Sequence, residues 1–244
     1  EIVWLRTLRQ PEHESFWRAA AEARTKLHEE ALAGLELRHL AVIVSAAVHE
    51  PELLERSRDD LFRQVASLVG PRRHYAHQST YAGNPGIRID GLRGTLSWGD
   101  LVTILMAVRA MDVPQVAAHI FHYADRDMAD TSTEYGGLIA LDHLGRFVVH
   151  EHTPRRREHD QKFIPNTKMY EDGYSAVFHF HNHTQKHRNS EYAGPGYGDH
   201  MSADNGRMNC LVFTFVDADT INVDYYRHGK VVVDLGTITR VSAG

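Results

Sequence analysis

Val177-Phe178-His179-Phe180-His181-Asn182-His183 is the stretch whose reading decides the fold. Valine and phenylalanine at this density read as a buried strand. Side chains alternate along a strand, so His179 and His181 share a face and stand about 7 Å apart. Two imidazoles on one face, at the end of an apolar strand, form a ready pair of metal ligands.

Working outward from this strand, further strand-like runs occur at 138–140, 147–150, 211–216, 221–226 and 231–235, and the central run extends over 175–181. Turn signals at His143-Leu144-Gly145 and His228-Gly229 join two hairpins. Upstream the period changes. Ser97 is placed to cap a helix carrying Leu101, Ile104, Leu105 and Val108, and Pro114 opens another with Val116, Ala117, Ile120 and Phe121. Residues 11–70 carry Phe16, Ala20, Ala23, Leu27 and Ala31 at helical spacing. The run Leu40 to Val44 is helical too, and a helix starts at Pro51 and stops at Gly70-Pro71. Helices followed by strands, with little room for crossovers, predict an α+β fold within the broad α/β class: a mixed, largely antiparallel sheet with flanking helices.

Residues 71–97, with Asn84-Pro85-Gly86 and the glycines from Gly91 to Gly94, read as a linker or short extended segment. Two regions result: a helical N-terminal region over 1–96 and a second domain over 97–244. Tyr81-Ala82-Gly83 recurs as Tyr192-Ala193-Gly194, too short to define a repeat.

The 244 residues are 42% hydrophobic and 24% charged, an ordinary globular balance. A net charge of −5 argues against a general nucleic-acid or anionic-membrane binder, and Arg155-Arg156-Arg157 reads as a loop. Cys210 is the sole cysteine, which excludes a disulfide framework and a cysteine-rich zinc site. No apolar run reaches the roughly 18 residues of a membrane span. The chain opens on Glu1 and reads as a processed or trimmed product, with a cytoplasmic location expected. Most of the 18 histidines, such as His13, His74, His143, His152 and His159, lie in polar surroundings and read as solvated or hydrogen-bonded side chains and not as ligands.

A zinc hydrolase needs three protein ligands, an open position and a carboxylate base. His179 and His181 supply two ligands. Asp199, Asp204, His183, His187, His200 and Glu191 compete for the third, with His183, His187 and His200 read as loop residues. Glu134 stands out as base because it precedes Tyr135-Gly136-Gly137 at the mouth of a strand, where glycine permits close approach.

Glu134-Tyr135-Gly136-Gly137, His179-Phe180-His181 and Pro195-Gly196-Tyr197-Gly198-Asp199 together resemble the signature of the JAMM/MPN metalloproteases, over residues 98 to 236. The resemblance implies a Zn2+ site with His179, His181 and Asp199 as ligands and Glu134 as general base. It also implies hydrolysis of a peptide, isopeptide or related amide bond in a protein or peptide substrate, such as a ubiquitin-like tail. Two features depart from the family. Gly196 stands where the family has a catalytic serine, and Asn182 replaces a proline at the head of a longer loop. Ser190, Ser202 or a backbone N–H near Gly196 could take over the serine's contact with the substrate oxygen. The His-x-His-x-His run also resembles histidine-triad hydrolases, but Asn182, Thr184 and Gln185 break that pattern. A cupin would need a ligand where Gln185 stands. A catalytically silent MPN-like scaffold for protein binding is the alternative of a different class.

Overall fold

A computed structural model describes residues 6, 7, 9–75 and 87–240. Asn84-Pro85-Gly86 and Tyr81-Ala82-Gly83 lie outside the described residues. The expected class holds. Six strands form one mixed sheet: β1 (Gly136–Leu141), β2 (Phe147–His152), β3 (Ala176–His183), β4 (Cys210–Asp217), β5 (Thr220–Arg227) and β6 (Val231–Thr239). Their order is β2-β1-β3-β4-β5-β6. Only β3 and β4 run parallel; every other neighbouring pair is antiparallel.

Helices α1 (Glu14–Thr25), α2 (Glu29–Ala33), α3 (Leu40–His49) and α4 (Arg58–Val69) precede α5 (Trp98–Met111) and α6 (Pro114–Ala129). Two more follow, α7 (Thr167–Asp172) and α8 (Tyr197–Gly206), neither of which the sequence pattern revealed. The helix expected to run on from Pro51 is split. A 3-10 turn covers Pro51–Glu55, Arg56 is extended, and the Ser57 hydroxyl accepts from Asp60 N–H to start α4 afresh.

Alternation divides the sheet's two faces. Phe178, Phe180, Leu211, Phe213, Phe215, Ile221, Val223 and Tyr225 point into one large core shared with the helices. His179, His181, His183, Cys210, Val212 and Tyr226 alternate with them and point the other way. Helix α5 sits between the sheet and α4, so of its 14 residues only Arg109 is not buried. The same core takes in Leu61, Phe62 and Val65 from the N-terminal helices, and so spans both sides of the 96/97 division. Two points within the 71–97 stretch are tied to edge strand β6: Thr237 N–H donates to Arg73 O, and Ile87 pairs with Val233. Among the described residues no single helix is long and apolar enough to cross a membrane.

A buried ionic network joins the helices to the sheet. Asp100 caps α5 by accepting from Ser97 N–H at 2.9 Å, while Ser97 Oγ accepts from Asp100 N–H. The same carboxylate accepts from Arg38 Nη2 at 2.7 Å and from Arg227 Nε and Nη2, each at 3.0 Å. Arg38 also donates to Glu36 and, at 2.8 Å, to Asn209 Oδ1. Burial pushes Glu36 up from its ordinary 4.5, but Arg38 and His228 outweigh that and hold it at about 2. Asp100 lies well below the carboxylate range, with burial again opposed by His39, Arg38 and Arg227.

A carboxylate with a depressed folded pKa stabilises the fold above its unfolded pKa and loses that contribution as pH falls through the folded value. Stability should therefore fall as pH drops from 4.5 towards 2. Removing one partner of a buried pair costs about 3–5 kcal/mol. Arg38→Met should show that loss in urea unfolding near neutral pH, with a shallower acid dependence than the parent. Equal unfolding midpoints for the two proteins would refute the network's role.

Candidate metal centre

The strand that carries the histidines is longer than its sequence suggests. β3 continues through Asn182 to His183, so three histidines, not two, share the face opposite the core. β1 pairs antiparallel with β3 in a register that sets Gly136 against His181. Tyr135 O accepts from Asn182 N–H at 2.9 Å, which carries Glu134, just before β1, alongside His183. The two glycines are sterically required. A Cβ at Gly136 would lie 2.6 Å from Phe180 O, and one at Gly137 would lie 2.2 Å from His150 O.

The parallel partner of β3 supplies the other side. The crossover from β3 to β4 runs through a 3-10 turn at Ser190–Tyr192 and then α8. Asp199 sits in the first turn of α8, where its Oδ2 accepts from Gly196 N–H at 2.7 Å. Its Oδ1 lies 3.2 Å from His181 Nε2, and its Oδ2 lies 3.6 Å from His183 Nε2. The two Nε2 atoms are 3.2 Å apart, and Glu134 Oε1 stands 3.9 Å from His183 Nε2.

Glu134, His181 and His183 form a buried group whose ligand atoms all lie within 4.8 Å, and it could hold a metal ion. The hydrogen bonds support that. His183 Nδ1 lies 2.7 Å from Tyr192 O, which can only accept, so Nδ1 carries the proton and Nε2 presents a lone pair. That lone pair faces His181 Nε2, and either a proton on His181 or a metal ion between the two nitrogens satisfies it. His181 Nδ1 meets the Tyr226 hydroxyl at 3.4 Å. Gln185 donates from Nε2 to Glu134 Oε1 at 2.8 Å and to Asp160 O, and its own oxygen accepts from Asn189.

The charges are strongly coupled. Burial raises Glu134 to about 8, helped by Asp199 and Asp127 and opposed by His181. Burial lowers His181, but Asp199 and Glu134 carry it up to about 9. His183 is pushed down to about 4 by burial and by His181. Burial opposes ionisation of Asp199, yet His181, His183 and the Gly196 N–H hold it below the carboxylate range. Behind Glu134, Thr184 donates to the buried Asp127, which burial lifts to about 8.

The expected site residues are therefore only partly brought together. Glu134, His181 and Asp199 meet. The second histidine at this centre is His183, in the strand and not in a loop. His179 is one strand repeat away, beside Tyr170, where burial and His152 lower it to about 3. Gly196 is the N-cap of α8, and its N–H is engaged by Asp199. Asp204 lies elsewhere, accepting from Gly229 N–H, and Glu191 pairs with Lys186. The sequence signal for His183 was the unbroken alternation of the run. Gln185 and Tyr226, which touch Glu134 and His181, left no such signal. No protein-family model, curated protein or solved structure matches the chain.

Metal content tests the grouping. His181→Ala and His183→Ala should each lose the ion by elemental analysis, and His179→Ala should keep it. Loss in His179→Ala and His181→Ala with retention in His183→Ala would return the site to the His179–His181 pair. Because a proton on His181 competes with the metal, affinity should weaken as pH falls below about 9.

Proposed function

We propose that this chain is a zinc-dependent hydrolase of the JAMM type that cuts a peptide, isopeptide or related amide bond. What carries the proposal is the convergence of His181, His183 and Asp199, with Glu134 across from them, in a cavity of about 220 Å³. Zinc bonds of about 2.0–2.1 Å at tetrahedral angles separate their donor atoms by about 3.3 Å. His181 Nε2 lies 3.2 Å from His183 Nε2 and 3.2 Å from Asp199 Oδ1, and the other carboxylate oxygen, Oδ2, lies 3.6 Å from His183 Nε2. Glu134 Oε1, 3.9 Å from His183 Nε2, is within reach of the same centre and is assigned the role of a base acting through water. Zinc at such a site supplies Lewis acidity to the substrate carbonyl and to water.

Two carboxylates thus take two roles through their surroundings. Asp199 stays ionised as a ligand. Glu134, raised by burial, is drawn to its ionised form by positive charge in the centre. It takes a proton from the attacking water and returns it to the leaving amine. Gln185 holds Oε1 throughout and so orients the carboxylate. His183 and His181 are turned to their task by Tyr192 O and Tyr226. The Gly196 N–H, held by Asp199, is not a donor for the substrate oxygen. Ser202, one turn along α8, lines the cavity, whereas Ser190 does not.

Glu134→Gln should retain zinc and fold while hydrolysis drops by on the order of 10² or more. Loss of the metal in that variant would make Glu134 a ligand and end this mechanism. Ser202→Ala should lower kcat by roughly 10² if its hydroxyl contacts the developing oxyanion. Ser190→Ala should match the parent, and a larger loss there than at Ser202 would reverse the assignment.

A further inference from the structure

The cavity does not end at the metal-binding side chains. It continues down the face of β3 to His179, about 7 Å along the strand from His181. That end is walled by Phe163, Met169, His179, Met208 and Cys210. Met169, Met208 and Cys210 are almost wholly buried, at 1%, 3% and 2% exposure. His179 and Cys210 are register partners on the parallel strands, so they form a floor laid by the sheet. Gly173 makes room for the imidazole, since a Cβ there would lie 2.5 Å from His179 Nε2.

The distribution of charge in this cavity is one-sided. Its charged lining residues are Glu134, Lys162 and Asp199. Glu134 and Asp199 belong to the metal centre, and the Lys162 backbone carbonyl accepts from Glu134 N–H. No carboxylate, ammonium or guanidinium among the described residues lines the far end. A charged group entering it would lose its water and find no counter-charge. An apolar group would exchange water for sulfur and ring contacts, and methionine adapts to more than one shape. At about 220 Å³ the whole cavity is smaller than a usual small-molecule site, so the far end suits one side chain.

We propose that this recess is the specificity subsite of the enzyme, taking an uncharged apolar side chain, such as leucine or phenylalanine, adjacent to the scissile amide. The substrate class is then a peptide or conjugate with an apolar residue at that bond. This rests on the hydrolase function proposed above.

Binding tests it without turnover. Zinc-loaded protein is titrated calorimetrically with the hydroxamates of glycine, leucine, phenylalanine, aspartate and lysine, each a metal-binding head with one side chain. Leucine and phenylalanine hydroxamates should bind roughly 10-fold or more tighter than glycine hydroxamate, with aspartate and lysine no tighter than glycine. Met208→Ala, which widens the recess, should shift preference from leucine towards phenylalanine while zinc content stays at the parent level. Equal affinities across the panel with zinc bound, or tightest binding by a charged member, would overturn the subsite and leave the hydrolase proposal standing. Failure to take up zinc at all would overturn both.

Discussion

Everything at the centre depends on the parallel pairing of β3 with β4. Two parallel neighbours cannot be joined by a tight turn, so the chain must leave the end of β3, cross over and return. That excursion carries the Tyr192 carbonyl, the Gly196 N-cap and Asp199, and it begins at His183. The histidines at the strand's end and the acid in the first turn of α8 are thus brought together by topology. A simple antiparallel meander would have no crossover to place them.

Register does the rest. The β1–β3 pairing is pinned where Gly136 and Gly137 allow backbone and rings to approach too closely for any side chain. That pins Glu134 beside His183. Phe163, packed against Gly136, and the Lys162 carbonyl, bonded to Glu134 N–H, close the segment over the acid. Burial by this cover raises Glu134, while the helix cap and the imidazoles lower Asp199. Two acids a short distance apart are pushed in opposite directions by the elements that hold them.

The helical half of the chain supports this arrangement from behind. Asn209, just before β4, accepts from Arg38 and Tyr225 and donates to the carbonyls of Arg38 and Val177. Its own carbonyl accepts from His179 N–H. The Arg38–Asp100–Arg227 cluster is therefore coupled through one asparagine to the start of both central strands. Removing any one member would leave an uncompensated buried charge, so the cluster holds its parts together as a unit.

The helix and strand periods, the Ser97 cap, the hairpin turns and the α+β class were legible in local pattern, because each depends on neighbours in sequence. So were the residue types of the site: a strand of alternating histidines, a glutamate before two glycines, and an aspartate after a proline frame. The run His179-x-His181-x-His183 contains two overlapping pairs on one face, and alternation cannot choose between them. Apolar flanks favour the first pair, but the second is the one that meets the acids, because strand register sets Glu134 beside His183 and the crossover sets Asp199 between His181 and His183. Short α7 and α8 have too little apolar periodicity to stand out; they lie in the loop before β3 and in the β3–β4 crossover. Local sequence thus determined the strands, most of the helices and the residue types of the site. Only tertiary structure decided which histidines meet the acids, because pairing register is a property of two strands together.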